Sequence, residues 1–170
     1  MTPEYLGNML RVACEMANAQ GATLFVVDGA VLRPYLIYNL PVEYIQGIGE
    51  VRIGTQCCGR AVEQKRPWIV ADMLNDPLFA EGRAGALASP IRAGFSVPVM
   101  DGDVAIAALG CHFTTSHSPS AVDIERNEVF ARLFAISLRA HWPVSTDQPY
   151  FVRPVASVSQ METAVQDSAA

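Results

Sequence analysis

The chain has 170 residues, of which 51% are hydrophobic and 17% charged, and its formal net charge at pH 7 is −5. This mixture fits one folded domain with a tail, and it excludes general disorder and a charged coiled coil. No apolar run reaches the roughly 18 residues that a membrane-spanning helix needs, and no signal-peptide pattern begins the chain. The negative charge argues against nucleic-acid and anionic-membrane partners. Because the chain has no export signal and its four cysteines do not suit a disulfide framework, we expect reduced thiols and a cytoplasmic protein.

The first half of the chain predicts a helix and then a hairpin. Apolar residues at three- and four-residue spacing indicate a helix over residues 2–19, ended by Gly21. An apolar strand over Ala22–Val27 follows, and the dipeptide Asp28-Gly29 predicts a tight turn into a return strand over Ala30–Asn39.

The middle of the chain predicts short elements separated by glycines and prolines. We expect a short helix over Pro41–Gln46 and a second over Cys57–Lys65. Trp68–Ala71 is typical of a short buried strand, and Leu78–Leu87 predicts a loosely formed helix.

The last part of the domain gives the clearest pattern. Two apolar strands, Ile91–Val99 and Val104–Phe113, are joined by the turn dipeptide Asp101-Gly102. A long helix is predicted over Ala121–His141, and Ser120 with Asp123 resembles a capping box in front of it.

The character of the sequence changes after Trp142. Residues 143–170 contain three prolines and many small polar residues without periodicity, which predicts a flexible or surface-docked tail. Within it, the apolar segment Tyr150–Val152 is expected to be able to dock on the domain. We therefore place the domain at residues 1–142 and the tail at residues 143–170.

The strands arrive in antiparallel pairs and not as repeated β-α-β units. This order predicts an α+β fold, with the two terminal helices on one face of an antiparallel sheet and the middle elements on the other. The last helix has two apolar stripes, one of which needs either the first helix or another subunit as its partner. The stripes are Val129, Leu133, Ile136 and Ala140, and Phe130, Phe134 and Leu138.

Candidate chemistry is sparse. Cys57 and Cys58 open a predicted helix, whose N-terminus favours a thiolate, although a buried structural cysteine is the more common case. Cys111 and His112 are neighbours in a strand and are expected to point to opposite sides of the sheet, the thiol buried and the imidazole outward. With Cys14, the four cysteines suit neither a disulfide framework nor a zinc knuckle, and no metal site is signalled.

The motifs taken in order resemble a GAF domain, over about residues 1–142. The most similar family members are the GAF domains of bacterial sensor histidine kinases and related two-component regulators. The resemblance rests on the ordered segments Gly54–Val62 (GTQCCGRAV), Arg66–Asp72 (RPWIVAD), Asn75–Phe79 (NDPLF) and Ile91–Val99 (IRAGFSVPV).

This resemblance implies a six-stranded antiparallel sheet, dimerisation through the terminal helices and a small-molecule site between the sheet and the middle elements. It does not name the ligand, because one fold serves many functions, and no cofactor is required by the sequence. The alternative is an interior filled by side chains, with no ligand. The expected ligand-binding residues are Cys58, Trp68, Phe79, Phe95 and Cys111.

Two further functions stay open. Free methionine-(R)-sulfoxide reductases are similar stand-alone proteins, and Cys58 matches their C-G-x-A cysteine, with Cys57 as a strained resolving thiol. However, the stretch Glu81–Ser96 lacks the further cysteines of that family. A bilin or haem sensor would use Cys111 and His112, or His112 as an axial ligand.

The expected partners are an unidentified small molecule and a second copy of the chain. No kinase, cyclase or DNA-binding segment follows the last predicted helix, so the chain is expected to be either a stand-alone protein or a fragment of a longer one. A stand-alone form would need a separate partner protein to receive the signal.

Overall fold

In the computed structural model, residues 2–140 and 150–152 are described, and they contain the predicted order of helices and hairpins. The helices are α1 (Pro3–Met16), α2 (Val42–Ile48), α3 (Gln56–Gln64), α4 (Arg83–Leu87) and α5 (Ala121–Arg139), with a 3₁₀ helix at Pro77–Gly82. The strands are β1 (Gly21–Asp28), β2 (Val31–Tyr38), β3 (Val51–Arg52), β4 (Trp68–Val70), β5 (Ala93–Asp101), β6 (Val104–Phe113) and β7 (Tyr150–Val152).

Six of these strands form one antiparallel sheet in the order β3-β2-β1-β6-β5-β4. Both predicted hairpins are present, β1 with β2 and β5 with β6, and each turns at an Asp-Gly dipeptide. The α+β fold class with one antiparallel sheet, predicted from the order of elements, is confirmed, and the sheet has the six antiparallel strands that the resemblance implies.

Side-chain caps explain where the two long helices begin. The hydroxyl of Thr2 accepts a hydrogen bond from the Tyr5 backbone N–H, and Ser120 and Asp123 form the predicted capping box. α1 ends at Met16, so the prediction of a helix to residue 19 ended by Gly21 was wrong. The chain turns earlier, at Asn18 with φ of 50°, a conformation that Asn tolerates.

Side chains of the central strands alternate between two buried cores. One face of the sheet, here called the helix face, packs on α1 and α5 through residues such as Leu24, Phe95 and Leu109. The other, the lid face, is covered by α2, α3, α4 and the 3₁₀ helix, here called the lid. The alternation follows from the two-residue period of a strand, and it places the helices as the sequence predicts.

Two peripheral strands differ in how well the sequence describes them. β4 lies at the sheet edge, and its Ile69 is 40% exposed, so the prediction of a buried strand holds for Val70 alone. In contrast, Tyr150–Val152 docks as expected, because it pairs in parallel with Leu36–Tyr38 of β2. No helix among the described residues is long and apolar enough to cross a bilayer.

Candidate functional site

The lid face of the three central strands carries small and polar side chains where the helix face carries large apolar ones. All of these positions are buried, where apolar side chains are more common. Such a buried polar layer, enclosed by apolar lid residues, has the composition of a small-molecule site. Its members are Thr23, Gly94, Ser96, Gly110 and His112.

Hydrogen bonds join this layer to the lid. The Cys58 thiol lies 3.1 Å from the Ser96 hydroxyl, and either atom is able to donate. The His112 ring contacts Thr23 and Tyr44 at once, with Nε2 3.1 Å from Thr23 Oγ1 and Nδ1 3.1 Å from the Tyr44 hydroxyl. The layer is therefore a set of satisfied polar pairs between the sheet and helices α2 and α3.

Gly110 leaves the space in which these groups meet. A Cβ at this position would lie 2.8 Å from Thr23 Oγ1, 3.2 Å from His112 Nε2 and 3.4 Å from Cys58 Sγ. The thiol, the hydroxyl and the imidazole thus surround one backbone position, and any larger residue there would displace them.

Burial keeps this set uncharged at neutral pH. It lowers the pKa of His112 to about 4 and raises the pKa of Tyr44 well above its usual value. It also raises the pKa of Cys58 to about 11, although hydrogen bonds from Ser96 and Thr23 act in the opposite direction. The site offers neutral donors and acceptors and no formal charge.

The same burial weakens the reactive-thiol hypothesis. Cys57 and Cys58 do lie in the first turn of α3, but desolvation by burial raises the pKa of both thiols. Cys57 Sγ is 3.4 Å from the Trp68 carbonyl oxygen, to which it donates. The guanidinium carbon of Arg60 lies 5.4 Å from the Trp68 ring centroid, where it makes a cation–π contact.

The sheet divides the five residues expected to bind a ligand. Cys58 and Phe79 belong to the lid-side core, and Trp68 packs at its edge half-buried. Phe95 and Cys111 belong to the helix-side core, where the Cys111 thiol lies 3.4 Å from Asn127 Oδ1 of α5. The expected set therefore does not form one cluster.

His112 also differs from its expected environment. It does point away from Cys111, as strand alternation predicts. However, it lies beneath α2, where the residue is only 6% exposed, and does not project into solvent. Sequence reasoning missed Thr23, Ser96 and Tyr44. Strand alternation would have assigned the first two to the side of His112, whereas nothing local connects Tyr44 with a histidine 68 positions later.

No metal centre accompanies these groups. Among residues 2–140 and 150–152, no three His, Cys, Asp or Glu side chains are grouped so as to hold an ion.

A cleft of about 620 Å³ opens beside the lid, between the β1, β2 and β6 ends and the α4–β5 connection. Ile37, Leu40 and Ile91 belong both to its wall and to the lid-side core. The described residues that line the cleft are Gln20, Ile37, Asn39, Leu40, Pro41, Pro90, Ile91, Thr114, Phe151 and Val152.

Comparison with known proteins identifies relatives by family and by fold. A family model described as GAF domain matches residues 3–139, whereas no curated protein matches the chain.

Three solved structures illustrate the shared fold. One is a domain of a protein described as a two-component sensor histidine kinase from Sinorhizobium meliloti (TM-score 0.69, 15% identity, 82% of this chain and 92% of that chain). Another is the GAF domain/HD domain protein of Geobacter sulfurreducens (0.68, 12%, 84% and 96%). The third is the free methionine-R-sulfoxide reductase of Neisseria meningitidis with its substrate (0.64, 16%, 82% and 80%).

Proposed function

This chain belongs to the GAF domain family, and from that premise we propose that it is a small-molecule-sensing, regulatory and non-catalytic domain of bacterial signal transduction. In this proposal it works in the cytoplasm, binds its ligand between the sheet and the lid, and acts through a homodimer of the terminal helices. A separate partner protein would receive the signal.

The buried polar layer of the lid face supports the sensing role. A core needed for stability alone gains little from such pairs, because each buried hydrogen bond contributes only about 1 kcal/mol net. Tyr44, Met73 and Phe79 belong to the lid-side core that covers this layer, and each is 2% exposed or less. A ligand there would have to displace lid side chains and so favour a different arrangement of the lid.

The unpartnered stripe of α5 supports the dimer. Phe134 and Leu138 are buried against the sheet. Val129 and Leu133 are each 44% exposed and Ile136 is 69% exposed, so this stripe is open within the described part of the chain. Such a contiguous apolar patch is typical of a protein interface.

A thermal-shift experiment with a metabolite panel that includes cyclic AMP and cyclic GMP tests the sensing role. We expect at least one compound to raise the melting temperature, as a ligand at 100 times its Kd stabilises by about 2.7 kcal/mol. The shift should shrink in Thr23→Val, which removes a lid-face hydroxyl. An undiminished shift in Thr23→Val would contradict this location, and a panel without effect would contradict the sensing role.

The reductase is the second candidate, favoured by the position of Cys58 in the first turn of α3 and by the fold shared with free methionine-R-sulfoxide reductases. The protonated state of Cys58 and the orientation of Cys57 toward Trp68 argue against it. We expect no turnover of free methionine-(R)-sulfoxide with thioredoxin, thioredoxin reductase and NADPH. Turnover that is lost in Cys58→Ser would overturn the non-catalytic assignment.

The pigment sensors are the third candidate. Both ring nitrogens of His112 have hydrogen-bond partners, and Cys111 lies on the opposite face of the sheet. This arrangement argues against an axial haem ligand and against a Cys-His pair on one bilin. We expect the protein to show no visible absorption after incubation with haem or biliverdin and removal of the unbound pigment by gel filtration. A visible band that stays with the protein would contradict that expectation.

A further inference from the structure

The open cleft next to the lid has the size and shape of a small-molecule site. Its volume of about 620 Å³ falls in the range of about 300–1,000 Å³ that is usual for such sites. Pro41 and Pro90 stiffen its walls because their φ angles are fixed. The Asn39 side-chain amide donates to the Gln20 carbonyl at 2.6 Å and so joins two walls.

The lining indicates the charge of its occupant. None of the ten described lining residues is Asp, Glu, Lys, Arg or His. Gln20, Asn39 and Thr114 supply neutral polar side chains, and the others are apolar. A formal charge would gain no counter-ion from the described lining, so this lining favours an uncharged ligand with one large apolar part.

One wall of the cleft comes from the tail strand β7. Phe151 and Val152 line the cleft, and β7 is held by its parallel pairing with β2. Val152 also packs on α1 at Gly7, where a Cβ would lie only 2.9 Å from Val152 Cγ2. The absence of a side chain at Gly7 therefore permits this position of β7.

We propose that this cleft is a second binding site, for an uncharged, partly apolar small molecule, and that its occupancy holds β7 against α1. The site is distinct from the polar layer under the lid, but it shares Ile37, Leu40 and Ile91 with the lid-side core. Because Val152 both lines the cleft and packs on Gly7, binding is linked to α1, which belongs to the proposed dimer surface.

Two matched fluorescent probes test the site. N-phenyl-1-naphthylamine is uncharged, and 1-anilinonaphthalene-8-sulfonate has the same aromatic skeleton with a negative charge. We expect the neutral probe to bind the full-length protein with one-to-one stoichiometry and about tenfold or more tighter than the anion. Equal affinity for both probes, or no binding of the neutral one, would overturn the proposal.

Two neighbouring threonines give a matched pair of variants. Thr114 and Thr115 are both exposed, but only Thr114 lines the cleft. Thr114→Trp should fill the cleft and weaken the neutral probe about tenfold or more, whereas Thr115→Trp should change its affinity by less than about twofold. The same loss in both variants, or in neither, would show that the probe binds elsewhere.

The link to α1 is tested at a residue outside the lining. Gly7→Ala should weaken the probe because the new methyl group displaces Val152 and with it the β7 wall. Adding Val152→Ala should return the affinity to that of Val152→Ala alone, which is the coupling expected of residues in contact. Unchanged binding in Gly7→Ala would overturn the role of the tail strand.

The outcomes separate this inference from the proposed function. If the probe fails while a metabolite still stabilises the wild type and not Thr23→Val, the cleft is refuted and the lid-side site stands. If the probe behaves as expected while the metabolite panel has no effect, the lid-side proposal falls and the cleft stands.

Discussion

The two faces of the sheet come from the same strands but carry different side chains, which are large and apolar on one face and small or polar at the centre of the other. On the helix face, Phe95, Val97 and Leu109 are fully buried among the apolar side chains of α1 and α5. On the lid face, the alternating neighbours Ser96 and Gly110 contribute a hydroxyl and a position without a side chain beside the Cys58 thiol. Close-packed apolar contacts stabilise the helix face, whereas hydrogen-bonded polar pairs of defined geometry occupy the lid face.

This difference assigns separate roles to the two faces. We infer that the helix face provides most of the stability and that, in the proposed dimer, the exposed stripe of α5 contacts the second copy. The lid face provides neutral hydrogen-bonding groups at a small cost in stability. The following substitutions test that division, beginning with the largest expected effect.

Phe95→Ala should have the largest effect, because it opens a cavity in the helix-side core. We expect a loss of about 3–5 kcal/mol in the free energy of unfolding, measured by urea denaturation. Ile69→Ala is the control, since Ile69 pairs with Phe95 in the sheet but is 40% exposed. Ile69→Ala should lower the free energy of unfolding by about 1 kcal/mol or less. A similar loss in both variants would contradict the account.

The next effect is the pH dependence due to His112. Its pKa is about 4 in the folded protein and about 6.5 in an unfolded chain, so the unfolded chain takes up the proton first. The contribution of neutral His112 to stability is therefore complete above about pH 6.5 and declines as the pH falls toward 4.

Denaturation at pH 7 and pH 4.5 measures this contribution. We expect the wild type to lose about 2–3 kcal/mol more than His112→Gln over that interval. The glutamine removes the titration, so both proteins otherwise share the same carboxylates. Identical pH dependence in the two proteins would contradict the burial of a neutral imidazole.

Ser96→Ala should have a smaller effect, because it removes one hydrogen bond and little volume. We expect a loss of about 1 kcal/mol in the free energy of unfolding, measured by urea denaturation. The Cys58 thiol is a weak hydrogen-bonding group, so leaving it unpaired costs little. A loss as large as that of Phe95→Ala would show that the lid face is as important for stability as the helix face.

The sequence describes local structure better than it describes the site. The Asp-Gly turns, the Ser120–Asp123 capping box and the α5 stripes depend on near neighbours, and the structure contains all of them. Phe95 and Cys111 were expected on the ligand side, although alternation places them opposite Ser96 and His112.

Contacts between distant segments could not be predicted in the same way. The hydroxyl of Tyr44 reaches His112 because α2 packs in the lid-side core, which depends on the fold of the whole chain and not on any motif. Likewise, the helix N-terminus before Cys58 is visible in the sequence, but the burial that raises its pKa is not.

Sedimentation equilibrium of Ile136→Lys tests the central claim most directly. Ile136 on α5 and Leu87 on α4 are both 69% exposed, so Leu87→Lys is a matched control on the lid side. We expect the wild type and Leu87→Lys to be dimers and Ile136→Lys to be a monomer. Each substitution should change the free energy of unfolding of the monomer by no more than about 0.5 kcal/mol relative to the wild type. A monomeric wild type, or a dimer that persists in Ile136→Lys, would contradict the assignment of the output to the terminal helices.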